Sequence, residues 1–156
     1  MAADPPADLL ADLDPERREH VETRLRTNLM AWLSTVSPSG RPDTVPVWFL
    51  HRDDGTFVLY SQPGKVKLRN IAANPHVGLA LDVTDIGRDI IRFTGTAVVA
   101  PDEPAADHAP AYVAKYTERI GAIFGSAAAF AAAFSEAIVI TPTRAHISEP
   151  SPGATA

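Results

Sequence analysis

Five short stretches rich in apolar and β-branched residues follow one another between Leu29 and Val99, each closed by turn residues before a long helix can develop. Leu29 to Val36 runs into Ser37-Pro-Ser-Gly40, and Thr44-Val-Pro-Val-Trp-Phe-Leu50 runs into Asp53-Asp54-Gly55. Phe57 to Tyr60 is a third strand. His76 to Val83 and Ile90 to Val99 are a fourth and fifth, with Gly95 marking a bulge or a close backbone approach. Glu136 to Thr141 and Arg144 to Ser148 close the chain as a bent last strand. Strands at this spacing, in meander order and with few helices, specify a small antiparallel β-barrel or α+β domain. They exclude a doubly wound parallel sheet, and no Gly-x-Gly-x-x-Gly or Walker loop is present.

The helices are equally readable. Asp14-Pro15-Glu16 has the N-cap acid, the proline at the first position and the first-turn acid of a helix start. Val21 and Leu25 mark its buried side as far as about Thr27. Residues 102–120 form an amphipathic helix carrying Ala109, Tyr112, Val113, Tyr116 and Ile120. Ser126 to Phe134 is a second, charge-free helix that requires cover by this chain or a partner. A short cationic helix spans about Gly64 to Ala73, with Leu68, Ile71 and Ala72 on its apolar face.

The 156 residues suit one domain, 14–148, between a flexible arm (1–13) and a flexible tail (149–156). There is no cysteine, which removes disulfides and thiolate chemistry and suits a reducing cytoplasm. The N-terminus is acidic and proline-rich, unlike a signal peptide, and no apolar run nears the roughly 20 residues that cross a bilayer. A formal net charge of −5 argues against a nucleic-acid binder. The expectation is a cytoplasmic protein with neither a membrane nor a nucleic acid as partner.

Against that acidic balance, the stretch from Tyr60 to Pro75 stands out: Lys65, Lys67 and Arg69 fall within it and no acid does. It joins a strand end to a helix start, where unpaired N–H groups and the positive end of the helix dipole favour an anion. Ser61 can donate its hydroxyl or cap the helix, and Pro63-Gly64 suits a tight entry. A phosphate is the natural guest. In the second strand the alternation places Val45, Val47 and Phe49 on one side, and Thr44, Pro46, Trp48 and Leu50 on the other.

This order resembles the pyridoxamine-phosphate-oxidase-like split β-barrel family. The matching residues are Gly40-Arg41-Pro42, Val45-Pro-Val-Trp-Phe49, Tyr60-Ser61, Lys65-Val-Lys67, Arg69-Asn-Ile71 and Asn74-Pro75. Within the family it is most similar to the branch of deazaflavin (coenzyme F420)-dependent oxidoreductases. The resemblance implies an α+β fold, a six-stranded antiparallel split β-barrel with peripheral helices, working as a homodimer with cofactor sites at the interface. It implies that Tyr60, Ser61, Lys65, Val66 and Lys67 hold the cofactor phosphate, with Asn70 in the same motif. Pro46, Val47 and Trp48 would lie along the tricyclic ring, Pro46 and Trp48 on the exposed face. The cofactor implied is F420, with Arg41 and Lys65 available to its acidic tail; FMN is the alternative. The activity implied is hydride transfer to a small organic substrate. An FMN-dependent oxidase or reductase and a non-catalytic flavin carrier are the rivals.

Plainer readings stand beside these. The Lys65/Lys67/Arg69 cluster alone also fits a solvated helix face, Trp48 a core aromatic, and Tyr60 simple packing. The histidines at 20, 51, 76, 108 and 146 are scattered without ligand spacing, so no metal is expected. Tyr112 and Tyr116 read as helix–barrel contacts rather than catalytic acids. Arg144-Ala-His146 has the spacing of a substrate-gripping Arg-x-His pair but lacks its basic, aromatic flanks, and we set it aside as coincidence. No catalytic residue is identified.

Overall fold

A computed structural model describes residues 6–83 and 86–149. Helix α1 (Pro15–Thr27) is capped by Asp14, whose carboxylate accepts from the Arg17 N–H at 2.9 Å. Seven strands follow in one antiparallel sheet: β1 (Ala31–Val36), β2 (Pro42–Val47), β3 (Leu50–His51), β4 (Phe57–Ser61), β5 (His76–Leu81), β6 (Ile91–Val99) and β7 (Glu136–Ile147). Between them lie α2 (Val66–Ala73), α3 (Pro110–Phe124) and α4 (Ala127–Ala133).

The spatial order is β2-β1-β5-β6-β7-β4-β3, not a meander. The expected second strand, Thr44 to Leu50, is two strands at opposite edges of the sheet, so the count is seven rather than six. The break falls at Trp48-Phe49 because α3 takes the backbone groups a ladder would use. The Phe49 N–H donates to the Tyr116 hydroxyl at 2.8 Å, and the Phe49 carbonyl accepts from Lys115 Nζ at 2.9 Å. Only those two residues join the edges, a span of about 10 Å at most. The sheet must therefore curl until its edges nearly meet, which gives a barrel split along the β2/β3 seam.

Two clusters hold it. The inner face of the sheet buries Leu33, Val47, Phe49, Phe57, Leu59, Phe93, Ile138 and Ile140 with Val21 and Leu25 of α1. On the outer face, β4 and β7 carry Val58, Tyr60 and Ala137 against Tyr112, Tyr116, Ile120 and Phe130 of α3 and α4. Trp48 belongs there as well. It lies parallel to Tyr116 at 4.7 Å and stacks on Phe130 at 5.7 Å. The expected partition of the second strand holds, but its outer side changes environment along the chain, with Thr44 and Pro46 exposed while Trp48 and Leu50 pack beneath the helices.

Other corrections have local causes. The helix expected over 102–120 starts at Pro110, after a 3-10 turn at Ala106–His108, because proline suits only the first turn of a helix. Residues 6–13, read as part of a flexible arm, pack on the domain: Leu10 is in the core and Asp8 pairs with Arg18 at 2.8 Å. Helix α4 is covered only at Phe130 and Ala131, leaving Ala128, Ala129 and Ala132 exposed. The last strand is continuous, and its bend is a register shift opposite Thr94/Gly95. Apart from Glu149, the expected tail lies outside the described residues. No helix among the described residues is long and apolar enough to cross a membrane.

Candidate cofactor site

Strand β4 delivers the chain to a turn at Pro63-Gly64, where Gly64 adopts φ +74°, a left-handed conformation that favours glycine. Lys65 follows in extended conformation as the N-cap of α2, which begins at Val66, two residues later than the expected start at Gly64, and no side chain caps the helix. The first N–H groups of an α-helix have no intrahelical acceptor. Here they open beside Lys65, which is exposed, and Lys67, which is half-buried. Neither lysine has an ion-pair partner among the described residues. Burial, and then the neighbouring Lys65 charge, push the Lys67 ammonium below its ordinary range, while Asp43 on β2 opposes this. A desolvated ammonium crowded by a like charge is relieved by an anion.

The helix is held firmly behind this opening. Asn70 Nδ2 donates to Thr35 Oγ1 of β1 at 3.0 Å, and both residues are buried. Asn70 therefore takes the inward position expected of Ala72, which is exposed; Ile71 and Leu68 fill the rest of that face. Arg69 does not join the lysines but turns back to the Gly64 carbonyl at 3.1 Å, bracing the turn.

Strand β4 supplies less than expected. Ser61 is fully buried and its hydroxyl donates to the Gln62 carbonyl at 2.9 Å, so it does not cap α2. The Tyr60 hydroxyl donates to the Pro104 carbonyl at 2.9 Å, and its ring meets Tyr112 edge-on. Burial first, then Glu103, holds the Tyr60 phenol above its usual range. Val66 is exposed at the helix start, and Val47 points into the core.

The exposed flat surface on the sheet centres on Trp32 rather than Trp48. Trp32 stands on the outer face of β1 with Pro46 opposite on β2 and Ala80 opposite on β5, and its indole N–H donates to Asp82 at 3.1 Å. The alternation of β1 carries the signal for this: Ala31, Leu33 and Thr35 face inward, so Trp32, Ser34 and Val36 face out. Thr35, to which α2 is tied, and Trp32 are three residues apart, about 10 Å along the strand. They lie on opposite faces of the sheet, beside the open β2 edge. Farther along the outer face, Arg144 and His146 of β7 sit opposite Thr94 and Arg92 of β6. Burial and those two arginines lower the His146 imidazole. Among the described residues no cluster of three or more metal-ligating side chains occurs.

A curled antiparallel sheet with a cationic, uncapped helix start at its rim defines a split β-barrel domain. Residues 18–148 match the pyridoxamine 5'-phosphate oxidase family, and the chain belongs to that family. A pyridoxine/pyridoxamine 5'-phosphate oxidase from Bacteroides thetaiotaomicron is 31% identical over 120 residues, which is 75% of this chain and 54% of the relative. The chain thus spans about half the length of that relative. A solved F420 reductase is 26% identical with a TM-score of 0.60, over 80% of this chain and 94% of that one. A heme storage protein from Vibrio cholerae shares the fold at 17% identity and a TM-score of 0.62, over 83% and 92% of the two chains.

Proposed function

We propose that this protein binds the deazaflavin coenzyme F420 and is an oxidoreductase acting on a small organic substrate. The observation that carries the reading is the uncapped start of α2, where Lys65 and Lys67 stand beside unsatisfied N–H groups and neither lysine is ion-paired among the described residues. These groups fit a phosphate diester as donors and as charge. The buried Asn70–Thr35 bond supports them by keeping the helix start in place when the anion binds. Trp32, Pro46 and Ala80 offer a flat apolar strip of the kind a tricyclic ring covers, and the 26% identity to an F420 reductase favours the deazaflavin.

When bound, the deazaflavin supplies the hydride, and the protein contributes grip, orientation and exclusion of water. Lys65, Lys67 and the N–H groups of Val66 and Lys67 would hold the phosphate. Tyr60 and Ser61 would support it from behind, through the strand end they anchor rather than through hydroxyls already bonded elsewhere. Trp48 would act indirectly, by fixing the β2–β3 corner from within the aromatic cluster. We place the enzyme in the cytoplasm as a homodimer.

The test is a calorimetric or fluorescence titration with F420 and, in parallel, with FMN. Micromolar or tighter binding of F420 alone supports the assignment, and acceptor screening with the reduced cofactor then tests catalysis. Binding of FMN alone moves the protein to the FMN-dependent branch. Binding of neither removes the cofactor reading altogether.

A further inference from the structure

Strand β5 ends at Leu81, and the chain then leaves the sheet through Asp82 into a turn that includes Asp89 at φ +62°. The ladder holds Asp82 weakly: its N–H meets the Met30 carbonyl at 3.4 Å, a long contact. What fixes Asp82 is the C-terminal end of α1. The Asp82 carbonyl accepts from Arg24 Nη2 at 3.0 Å and from Asn28 Nδ2 at 2.9 Å. The other donors of Arg24 go to the same frame. Its Nε donates to Asn28 Oδ1 at 2.9 Å, and its Nη1 donates to the Asp89 carbonyl at 3.1 Å and pairs with the Asp89 carboxylate. Only 18% of the Arg24 side chain is exposed. A planar guanidinium with every nitrogen bonded is a rigid bracket rather than a solvated surface charge.

The side chain of Asp82 carries that bracket to the sheet. Its carboxylate accepts from the Trp32 indole N–H at 3.1 Å. Trp32 is exposed, and its neighbours across the ladder, Pro46 and Ala80, are compact and leave the ring room to turn. A tryptophan in such a place has several staggered χ1 wells and a broad χ2, and the bond to Asp82 selects one orientation among them. A flat ligand gains most from a surface whose plane is already set, because ordering a side chain during binding costs affinity.

We propose that Arg24 is a positioning residue for the cofactor ring: acting through Asp82, it holds the Trp32 indole in one orientation before the cofactor arrives. Arg24 and Asn28 set the Asp82 backbone, Asp82 sets the indole, and the indole lies beside Pro46 and Ala80. Helix α1 thereby takes part in the site without touching it. This role rests on the reading of the Trp32 strip as the seat of the ring.

Trp32 and Trp48 are the two tryptophans of the chain, so a nitrogen-15-labelled sample gives two indole N–H signals, which Trp32→Phe assigns. The heteronuclear NOE of each signal reports ring motion on the picosecond–nanosecond scale in the cofactor-free protein. In the wild type the Trp32 indole should be as ordered as the backbone amides of β1. Asp82→Leu removes the acceptor and Arg24→Met frees the Asp82 backbone, so both should loosen Trp32 and leave Trp48 unchanged. Asp82→Asn keeps a side-chain oxygen for the indole N–H and should retain the order. F420 titrations should rank the same way, about three- to tenfold weaker for Asp82→Leu and Arg24→Met and within about twofold of wild type for Asp82→Asn. A Trp32 indole no more ordered in the wild type than in Asp82→Leu and Arg24→Met would overturn the bracket. A loosened indole with wild-type F420 affinity would overturn its part in seating the ring. A wild type that binds no F420 would overturn the cofactor reading itself, and the indole signals would still decide whether Arg24 holds Trp32.

Discussion

Lys67 and Lys65 stand at the start of α2 without an ion-pair partner among the described residues, and only the Asp43 charge on β2 opposes theirs, so the cofactor phosphate is their natural counter-charge. Replacing either by alanine is expected to weaken F420 binding by about 1.5–3 kcal/mol, the range for a charge-assisted hydrogen bond out of bulk water. The larger loss belongs to Lys67, the less exposed of the two. Titrations giving the wild-type dissociation constant for both variants would sink the phosphate assignment. A second residue-scale effect concerns pH. Burial holds Lys115 at about 8 against 10.5 in the open chain, so between those values the unfolded state binds more protons. Stability should therefore rise as pH goes from about 8 to about 10. Above 10 the sign reverses, because buried Tyr112 and Tyr116 hold protons that the unfolded chain releases. Urea denaturation at stepped pH should show the rise in the wild type and a flatter line in Lys115→Met. An unchanged slope in the variant would assign the rise to another group.

At the scale of elements, the β6–β7 bulge exists because two backbones touch. A Cβ built on Gly95 would lie 2.3 Å from the Thr141 carbonyl oxygen and 2.7 Å from Pro142 Cα, distances no relaxed structure accepts. Gly95→Ala should cost about 1–3 kcal/mol in urea denaturation. A neutral result would mean that β7 slides freely at that point. This bulge could be read from sequence because a glycine inside a long strand has few other uses, and the cap of α1 was equally local. The β2/β3 break was not legible, since the groups that cause it, Tyr116 and Lys115, lie 67 and 66 residues away from Phe49. The strand order shared that difficulty, being set by pairings such as β4 with β7. In the site, the lysines of α2 were legible from charge alone. The alternation of the second strand held through the corner, but the cover that α3 and α4 lay over Trp48 comes from residues far along the chain and was not legible, whereas the same rule applied to β1 finds the exposed Trp32.

For the whole molecule, helices cover the outer face only at β4 and β7, where α3 and α4 pack. The rest of that face, across β2, β1, β5 and β6, has no helix packed on it among the described residues, and it carries Trp32, Pro46, Ala80 and Val98. Val98, near the end of β6, is 56% exposed and Trp32, near the start of β1, is 40% exposed, while the other face of the sheet is packed. Exposed apolar side chains on an uncovered sheet face mark contacts with another molecule. The proposed homodimer supplies one, and it would also bring a second subunit against the Trp32–Pro46 strip where the cofactor ring is expected. Sedimentation equilibrium at micromolar concentration should give about twice the 16.7 kDa chain mass. Val98→Glu should shift the population toward monomer without unfolding it, because the side chain is solvent-exposed in the single chain. If the ring lies at that interface, the same variant should weaken F420 binding. A wild-type protein that sediments as a monomer would remove the dimer. A dimer that Val98→Glu leaves intact would move the interface to another surface, and with it the second subunit's contribution to the ring.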